Sequence, residues 1–281
     1  MFNTLLASVL LSAAIPQQTD TVFAVQTGTR LDVDAFRGEV VVRTWSQNEM
    51  RIVAHHSSRT RIGVSQSSSV VRLRPQAYQG VANVDLEITV PAGTDIDVNG
   101  TFMSADLSGE LGEVRVETVQ GDIVAVGVTG FAYLYSVQGD VRLGDATGDL
   151  TVHSVHGSLD VSGAVGQLTA DATHGGITLS GIESSQVEAT TVSGTVRYDG
   201  TIEDGGRYRL STHSGNVIVA VPEAINASIS VSTFSGSFDA GFPITLTETW
   251  NQGRQFSFTV GSGSARIDLE SFSGDIDLRR R

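Results

Sequence analysis

Glycine recurs at every ninth residue from Gly112 to Gly175, and this spacing constrains the fold more than any other feature of the sequence. Within each nine-residue unit, apolar residues stand at the second, fourth and seventh positions after the glycine, as in Leu150, Val152 and Val155. Over all eight units, one threonine is the single polar residue at these 24 positions. A fixed short period of this kind is typical of β-solenoids, in which each repeat stacks on the next.

The stronger repeat is eighteen residues long, because the four-residue motifs TVQG, SVQG, SVHG and ATHG end at every second glycine from Gly121 onward. We therefore predict an all-β single-stranded β-helix with two nine-residue units per coil and right-handed winding. The pattern does not decide whether positions six to eight form a third short side of each coil. A left-handed hexapeptide helix would repeat its apolar positions every six residues, and calcium-binding nonapeptides need a Gly-Gly-x-Gly-x-Asp motif, so neither alternative fits.

Residues 1–14 are predicted to be a cleaved signal peptide. The apolar run Leu5–Leu11 is too short to span a bilayer as a helix, and the small residues Ser12–Ala14 suit signal-peptidase cleavage. The first residues lack Lys and Arg, so a buried N-terminal strand is the alternative. No later stretch is a transmembrane candidate, and we expect the mature chain in the periplasm or at the cell surface.

Residues 15–281 are predicted to form a single β-solenoid domain. Three regions are expected, namely irregular N-terminal coils with a cap at 20–100, regular coils at 101–240, and C-terminal coils with a cap at 241–281. The arginines at 279–281 are expected to guard a last, exposed strand against pairing with another chain.

Composition excludes several classes of function. The formal net charge is −13, and all 18 basic residues are arginines. Binding to nucleic acid or to anionic lipid requires a basic face, so neither partner is expected. Cysteine is absent, which excludes disulfides, thiolate catalysis and cysteine-based metal sites. No cofactor is predicted.

Three motifs carry a resemblance to a known family. They are the sequences SFSGDI at Ser271–Ile276, GEVVVRTW at Gly38–Trp45 and LEITVPAG at Leu86–Gly93. Together they resemble a bacterial adhesin-like family of unknown function that is related to the head GIN domain, over roughly residues 20–281. The resemblance implies a β-helix at the cell envelope, and it supplies no reaction and no catalytic residues.

Stacking of equal positions in successive coils predicts one candidate metal site. His153 and Asp171 occupy the fifth position of adjacent coils, and His156 and His174 occupy the eighth. Three imidazoles and a carboxylate at one corner would suit Zn²⁺, Ni²⁺ or Cu²⁺. The alternative is an ordinary ladder of polar turn residues.

A row of aromatic residues is the candidate partner-binding site. Phe131, Tyr133 and Tyr135 occupy outward positions of one strand, and Arg115 lies one coil earlier, where it can stack on Tyr133. Aromatic side chains in a row suit sugar rings or a protein partner. The alternative is coverage by a loop or by the N-terminal coils.

The predicted function is an exported, non-catalytic β-solenoid that acts as an adhesin-like binding surface or as a structural element of the cell envelope, with an envelope protein or glycan as partner. A scaffold or sensor partner of an envelope protein is a second hypothesis. A β-helix carbohydrate-active enzyme is a third, and it is disfavoured because no catalytic arrangement of residues is visible in the sequence.

Overall fold

The computed structural model describes residues 16–250 and 255–281. The predicted all-β class is confirmed, since the regular elements of these residues are strands. The predicted signal peptide lies outside the described residues. Within them, no helix has the length and hydropathy needed to cross a membrane.

The strands are, in chain order, β1 (Pro16–Ala24), β2 (Arg30–Trp45), β3 (Glu49–Ser57), β4 (Thr60–Gln66), β5 (Val70–Ala77), β6 (Val84–Pro91), β7 (Thr94–Gln120), β8 (Ile123–Gln138), β9 (Val141–Gly144), β10 (Thr147–His156), β11 (Leu159–Ser162), β12 (Val165–His174), β13 (Ile177–Ser193), β14 (Val196–Gly200), β15 (Arg207–Ser214), β16 (Val217–Val221), β17 (Ala227–Ser235), β18 (Phe238–Ala240), β19 (Leu246–Trp250), β20 (Gln255–Val260), β21 (Ala265–Ser273) and β22 (Ile276–Arg280).

Most strands belong to two parallel ladders. In ladder A, Leu150 of β10 pairs with Leu168 of β12, and in ladder B, Leu159 of β11 pairs with Ile177 of β13. Both pairs are eighteen residues apart, which is the offset that the sequence repeat predicts. Ladder A contains β5, β10, β12, β15, β21 and β17, ladder B contains β6, β9, β11, β14, β16, β22 and β18, and the long strands β2, β7, β8 and β13 contribute to both.

The two ladders share one apolar core. Because successive side chains of a strand point to opposite faces, the second and fourth residues of each unit face inward. Val152, Leu159 and Leu179 are 0%, 1% and 1% exposed, as the repeat predicts. Buried side chains of both ladders form one continuous cluster. Each fully buried aliphatic side chain contributes about 1.5–3 kcal/mol before conformational entropy is subtracted.

The seventh position of the unit is apolar in almost every repeat, but it is buried only in ladder B. Ala146 of a ladder B unit is buried, whereas Val155 of a ladder A unit is half-buried and Ser154 takes its place inside. The Ser154 hydroxyl donates to the Gly139 carbonyl over 3.0 Å. A carbonyl beside the core needs a donor, which explains why a hydroxyl is buried at this corner in place of a methyl group. The same bond is made by the hydroxyls of Ser136, Thr191, Thr212 and Ser271.

The turn glycines let successive coils approach closely. Gly148 has a φ of +122°, and a Cβ atom at this position would lie 1.9 Å from the carbonyl oxygen of Gly130. A residue with a side chain is excluded there by both backbone conformation and space. The nine-residue glycine period is therefore a requirement of stacking at the corners.

The N-terminal cap contains strands that enter the stack out of chain order. β2 lies between β7 on one side and β5 and β6 on the other. Beyond them, β4 pairs antiparallel with β5, β3 pairs antiparallel with β6, and β1 pairs antiparallel with β3. Antiparallel strands thus cover the ends of both ladders, where parallel strand edges would otherwise be open to pairing with another chain.

The C-terminal segment also enters out of order. β21 lies between β15 and β17, and β22 lies between β16 and β18. The prediction that the arginines at 279–281 guard an exposed last strand is wrong, because β22 has a parallel partner on each side. The outermost coil is formed by β17 and β18, and the antiparallel strands β20 and β19 cover it on the ladder A side.

Candidate functional site

The outer surface of ladder A carries an aromatic row, defined as Phe131, Tyr133 and Tyr135 of β8. All three side chains are partly exposed. At the same outward positions, the other ladder A segments from β7 to β17 carry polar or charged residues, such as Glu113 before the row and Thr151 after it. The row is therefore a local departure from a polar surface, and its three residues lie at outward positions of the strand.

Polar groups of the neighbouring strands hold two of these rings. The Arg115 guanidinium lies 4.5 Å from the centroid of the Tyr133 ring, in the stacking contact that the register predicted. Arg115 also forms an ion pair with Glu117. On the other side, the His153 ring lies 5.8 Å from Tyr133 and 6.4 Å from Tyr135, measured between centroids. Contacts on both sides restrict the Tyr133 ring, so less of its side-chain entropy is lost when a ligand binds.

The four predicted metal ligands come together only as two pairs. His153 Nδ1 lies 3.4 Å from Asp171 Oδ2, and the rings of His156 and His174 stack with centroids 5.0 Å apart. Across residues 16–250 and 255–281, no three His, Asp or Glu side chains form a group that could hold a metal ion. The predicted gathering of four ligands at one corner is therefore not observed. The fifth position lies within the strand, and the eighth is its last residue.

Burial affects the Asp171 carboxylate. Loss of solvent raises the pKa of Asp171, while the nearby His153 lowers it and Glu188 raises it further. The carboxylate is thus held beside an imidazole on a partly desolvated part of the surface. A neutral ligand that donates a hydrogen bond to this carboxylate would replace part of the solvent that the carboxylate has lost.

A shallow recess lies further along the same outer surface, and sequence reasoning missed it. Its volume is about 580 Å³. We call it the arginine recess, and its lining includes Gln186, Glu188, Arg207, Arg209, Arg266 and Asp268. The volume falls within the range of about 300–1,000 Å³ that is typical of small-ligand sites.

The charges of the arginine recess are incompletely paired. Arg207 and Arg266 are direct neighbours in the register, and Arg266 donates two hydrogen bonds to Asp268, over 2.9 Å and 3.2 Å. Within the described residues, neither Arg207 nor Arg209 has a carboxylate partner within 4.0 Å. Three guanidinium groups face two carboxylates here, in a chain whose net charge is −13.

The sequence holds only a partial signal for this recess. The pair Arg207 and Arg209 is visible as two basic residues at alternate positions of a strand. Arg266 joins them because β21 is inserted next to β15, out of chain order. The eighteen-residue repeat has already ended at that point, so counting along the chain does not predict the neighbour.

An apolar ridge follows one corner of ladder A. It consists of seventh-position side chains of ladder A units and of their equivalents in the later strands. Val119 and Val192 are 47% and 48% exposed, and Phe272 and Phe234 are 48% and 56% exposed. The Phe272 ring stacks against His213 and against Phe234, with centroids 4.7 Å and 4.8 Å apart. Stacking at the strand spacing covers part of this exposed aromatic surface.

Comparison with known proteins places the chain in a family. The Toastrack DUF4097 family profile matches residues 18–279. The chain belongs to the Toastrack DUF4097 family. The adhesin-like resemblance drawn from the sequence motifs is thereby confirmed. No match is found among curated proteins.

Solved structures similar to this Toastrack chain share little sequence with it. A "putative adhesin" from Bacteroides fragilis is 11% identical, with 93% of this chain and 97% of that chain covered and a TM-score of 0.44. A "putative adhesin" from Parabacteroides distasonis is 8% identical, with 94% and 97% covered and a TM-score of 0.47. A "Putative lipid binding protein" from the same organism is 8% identical, with 95% and 96% covered and a TM-score of 0.46.

Proposed function

We propose that this Toastrack chain is an exported, non-catalytic β-solenoid that serves as an adhesin-like binding surface of the cell envelope. In this proposal the two ladders are opposite walls of one right-handed solenoid domain with eighteen residues per coil, and residues 1–14 are removed on export. A rigid wall presents side chains at fixed spacing, which suits the recognition of an extended ligand.

The observation that carries the proposal is the aromatic row. Rings on a polar outer wall offer a flat apolar surface to the faces of sugar rings, while the neighbouring polar groups can bind hydroxyls. Arg115 and His153 flank the row and fix its geometry. An envelope glycan is therefore the partner class that the surface favours.

A glycan-retention measurement tests this function. The wild type is expected to be slowed in affinity electrophoresis through gels that contain the envelope polysaccharide of the source organism, and a Phe131→Ser/Tyr133→Ser variant is expected to migrate freely. The matched control is Val124→Ser/Val126→Ser, which removes two apolar side chains from outward positions of the same strand in ladder B. Equal retention of the wild type and the aromatic variant would contradict the proposal.

The apolar ridge favours a second candidate, a scaffold or sensor partner of an envelope protein. Exposed valine and phenylalanine side chains in one line could dock against a protein surface. Capture of a single envelope protein that is lost in a Phe234→Ser/Phe272→Ser variant, with glycan retention unchanged, would support this role over the first. Recovery of the mature chain, beginning near Ile15, in the periplasmic fraction would support export in both cases.

A further inference from the structure

We infer that the arginine recess binds the carboxylated sugar of a saccharide whose remaining units extend along ladder A to the aromatic row. This inference rests on the proposed glycan-binding function and adds to it a second subsite and a chemical class of ligand, a mostly neutral chain with one hexuronate unit.

Charge is the first argument. Arg207 and Arg266 lie side by side in the register, and like charges on adjacent strands repel. Asp268 is engaged by Arg266, so the Arg207 guanidinium has no compensating carboxylate among the described residues. A bound carboxylate would supply the missing charge and would accept two hydrogen bonds from a planar guanidinium.

The uncharged side chains of the recess are the second argument. Gln167, Thr169 and Gln186 line the same depression beside the arginines. Amides and hydroxyls can both donate and accept hydrogen bonds, so they can bind sugar hydroxyls in either orientation. An inorganic anion can only accept hydrogen bonds from these groups, whereas the hydroxyls of a hexuronate can both donate and accept while its carboxylate contacts the arginines.

Geometry connects the recess to the aromatic row. The third-position residues from Tyr133 to Arg209 form one unbroken register column along the outer surface of ladder A. Four strand spacings separate the two residues, or about 19 Å. A short oligosaccharide can span that distance with a sugar ring on Tyr133 and its acidic unit at Arg207, which lies two residues before Arg209 on the same strand. The residues between them in the column are Thr151, Thr169 and Glu188.

The carboxylates along this path limit the ligand to a single acidic unit. Asp149, Asp171 and Glu188 occupy outward positions between the aromatic row and the arginines. They can accept hydrogen bonds from neutral sugars, but they would repel a carboxylate on every unit. We therefore expect a uniformly charged polyuronate to bind more weakly than a neutral chain that carries one hexuronate.

The first experiment titrates the full chain with D-glucuronate and follows backbone amide signals by nuclear magnetic resonance. Signals of recess residues such as Gln186 are expected to shift. An Arg207→Gln/Arg209→Gln variant is expected to bind at least about tenfold more weakly, because charge-assisted hydrogen bonds are lost. The matched control is Arg197→Gln, which removes an arginine from the equivalent outward position of ladder B and should leave the dissociation constant unchanged.

Two further probes define the outcomes of this titration. Acetate tests charge alone, and methyl α-D-glucopyranoside tests the sugar alone; each is expected to bind more weakly than glucuronate. Acetate that binds as tightly as glucuronate would overturn the assignment to a sugar. Absence of shifts in the recess, or equal weakening by Arg197→Gln, would overturn the site. None of these results depends on the aromatic row, so they can fail while the retention assay succeeds.

A second experiment tests the connection between the two subsites. Xylotriose that carries one glucuronate is expected to bind the wild type more tightly than free glucuronate does. In the Phe131→Ser/Tyr133→Ser variant, the two ligands are expected to bind with the same affinity. If this saccharide binds the wild type no more tightly than free glucuronate does, the saccharide does not extend to the aromatic row. A uniformly charged galacturonate tetramer that binds more tightly than this probe would contradict the limit to one acidic unit.

Discussion

Single hydroxyl groups at the buried corner of ladder A bond carbonyls of the preceding turn. Ser154 bonds the Gly139 carbonyl, whereas the next residue in the same column, Ala172, has no hydroxyl to offer. Strand alternation brings both residues into the core, because β10 and β12 continue past the fourth position of the unit. The carbonyl that the Ser154 hydroxyl bonds is visible only in the turn geometry.

The hydroxyl column gives a matched pair of stability predictions. Ser154→Ala is expected to lower the free energy of unfolding by about 1 kcal/mol, because a buried carbonyl loses its donor. Ala172→Ser is expected to raise the free energy of unfolding by about 0.5–1 kcal/mol. By the register, the new hydroxyl would face the Gly157 carbonyl as the Ser154 hydroxyl faces the Gly139 carbonyl. Urea unfolding of both variants measures the effect. A change of the same sign in both would refute the explanation.

Two buried tyrosines make stability sensitive to high pH. Burial raises the pKa of Tyr198 above its ordinary value of 10.0, and burial also raises the pKa of Tyr208. From about pH 10 upward, the unfolded chain loses these protons while the folded chain keeps them. The free energy of unfolding should therefore fall with rising pH by up to about 1.4 kcal/mol per pH unit for each buried tyrosine.

The test compares the wild type with Tyr198→Phe by urea unfolding between pH 8 and pH 11.5. The chain has no lysine and no cysteine, so tyrosines dominate titration in this range. The variant should lose stability at pH 8, because Tyr198 donates a 2.6 Å hydrogen bond to the Thr201 carbonyl, but its slope above pH 10 should be smaller. Identical slopes would rule out the assignment to Tyr198.

At the scale of the strand and its turn, glycine is needed where two coils meet at a corner. The sequence period locates these corners because each turn needs a residue that tolerates close contact, as at Gly139, or a positive φ, as at Gly130, or both, as at Gly148. The period ends where an extra residue is inserted after Ser184, and there the register of β12 and β13 shifts. Beyond this bulge, turn length varies and counting no longer predicts neighbours.

Replacement of a corner glycine should be far more costly than replacement of a glycine within a strand. Gly148→Ala is expected to destabilise the fold by about 3 kcal/mol or more, because its Cβ would lie 1.9 Å from a carbonyl oxygen. Gly144→Ala is the control, since the nearest atom to its Cβ would be at 3.4 Å. Thermal unfolding of the two variants checks the contrast, and similar losses in both would show that corner packing is not the cause.

At the scale of the whole molecule, the last strands stabilise the stack from within. Because β21 and β22 lie inside the two ladders, the chain differs from a simple array in which the final repeat is also the outermost. The outer coil of β17 and β18 forms no ladder contact with β15 and β16 except through these strands. β21 and β22 therefore connect the outer coil to the rest of the two ladders.

Removal of residues 265–281 should therefore unfold more than the deleted segment. We expect amide protons of β17 to lose protection from hydrogen exchange, and the unfolding transition of the remaining chain to move to lower urea concentration. Removal of Arg281 alone is the control. It deletes an exposed ion pair with Asp199 and hydrogen bonds to the Gly200 and Val221 carbonyls, and it is expected to cost about 1–2 kcal/mol without loss of protection in β17. Retained protection in β17 after the long deletion would contradict the arrangement.

The sequence by itself determined the all-β class, the eighteen-residue register, the apolar core of residues 112–182 and the position of the aromatic row. These features follow from local alternation and a fixed period, which need no knowledge of distant contacts. Tertiary structure alone decided the buried hydroxyl corner, the insertion of β2 and β21 out of chain order, and the arginine recess. Each depends on which distant strands pair, and pairing between distant segments is set by packing of the whole chain.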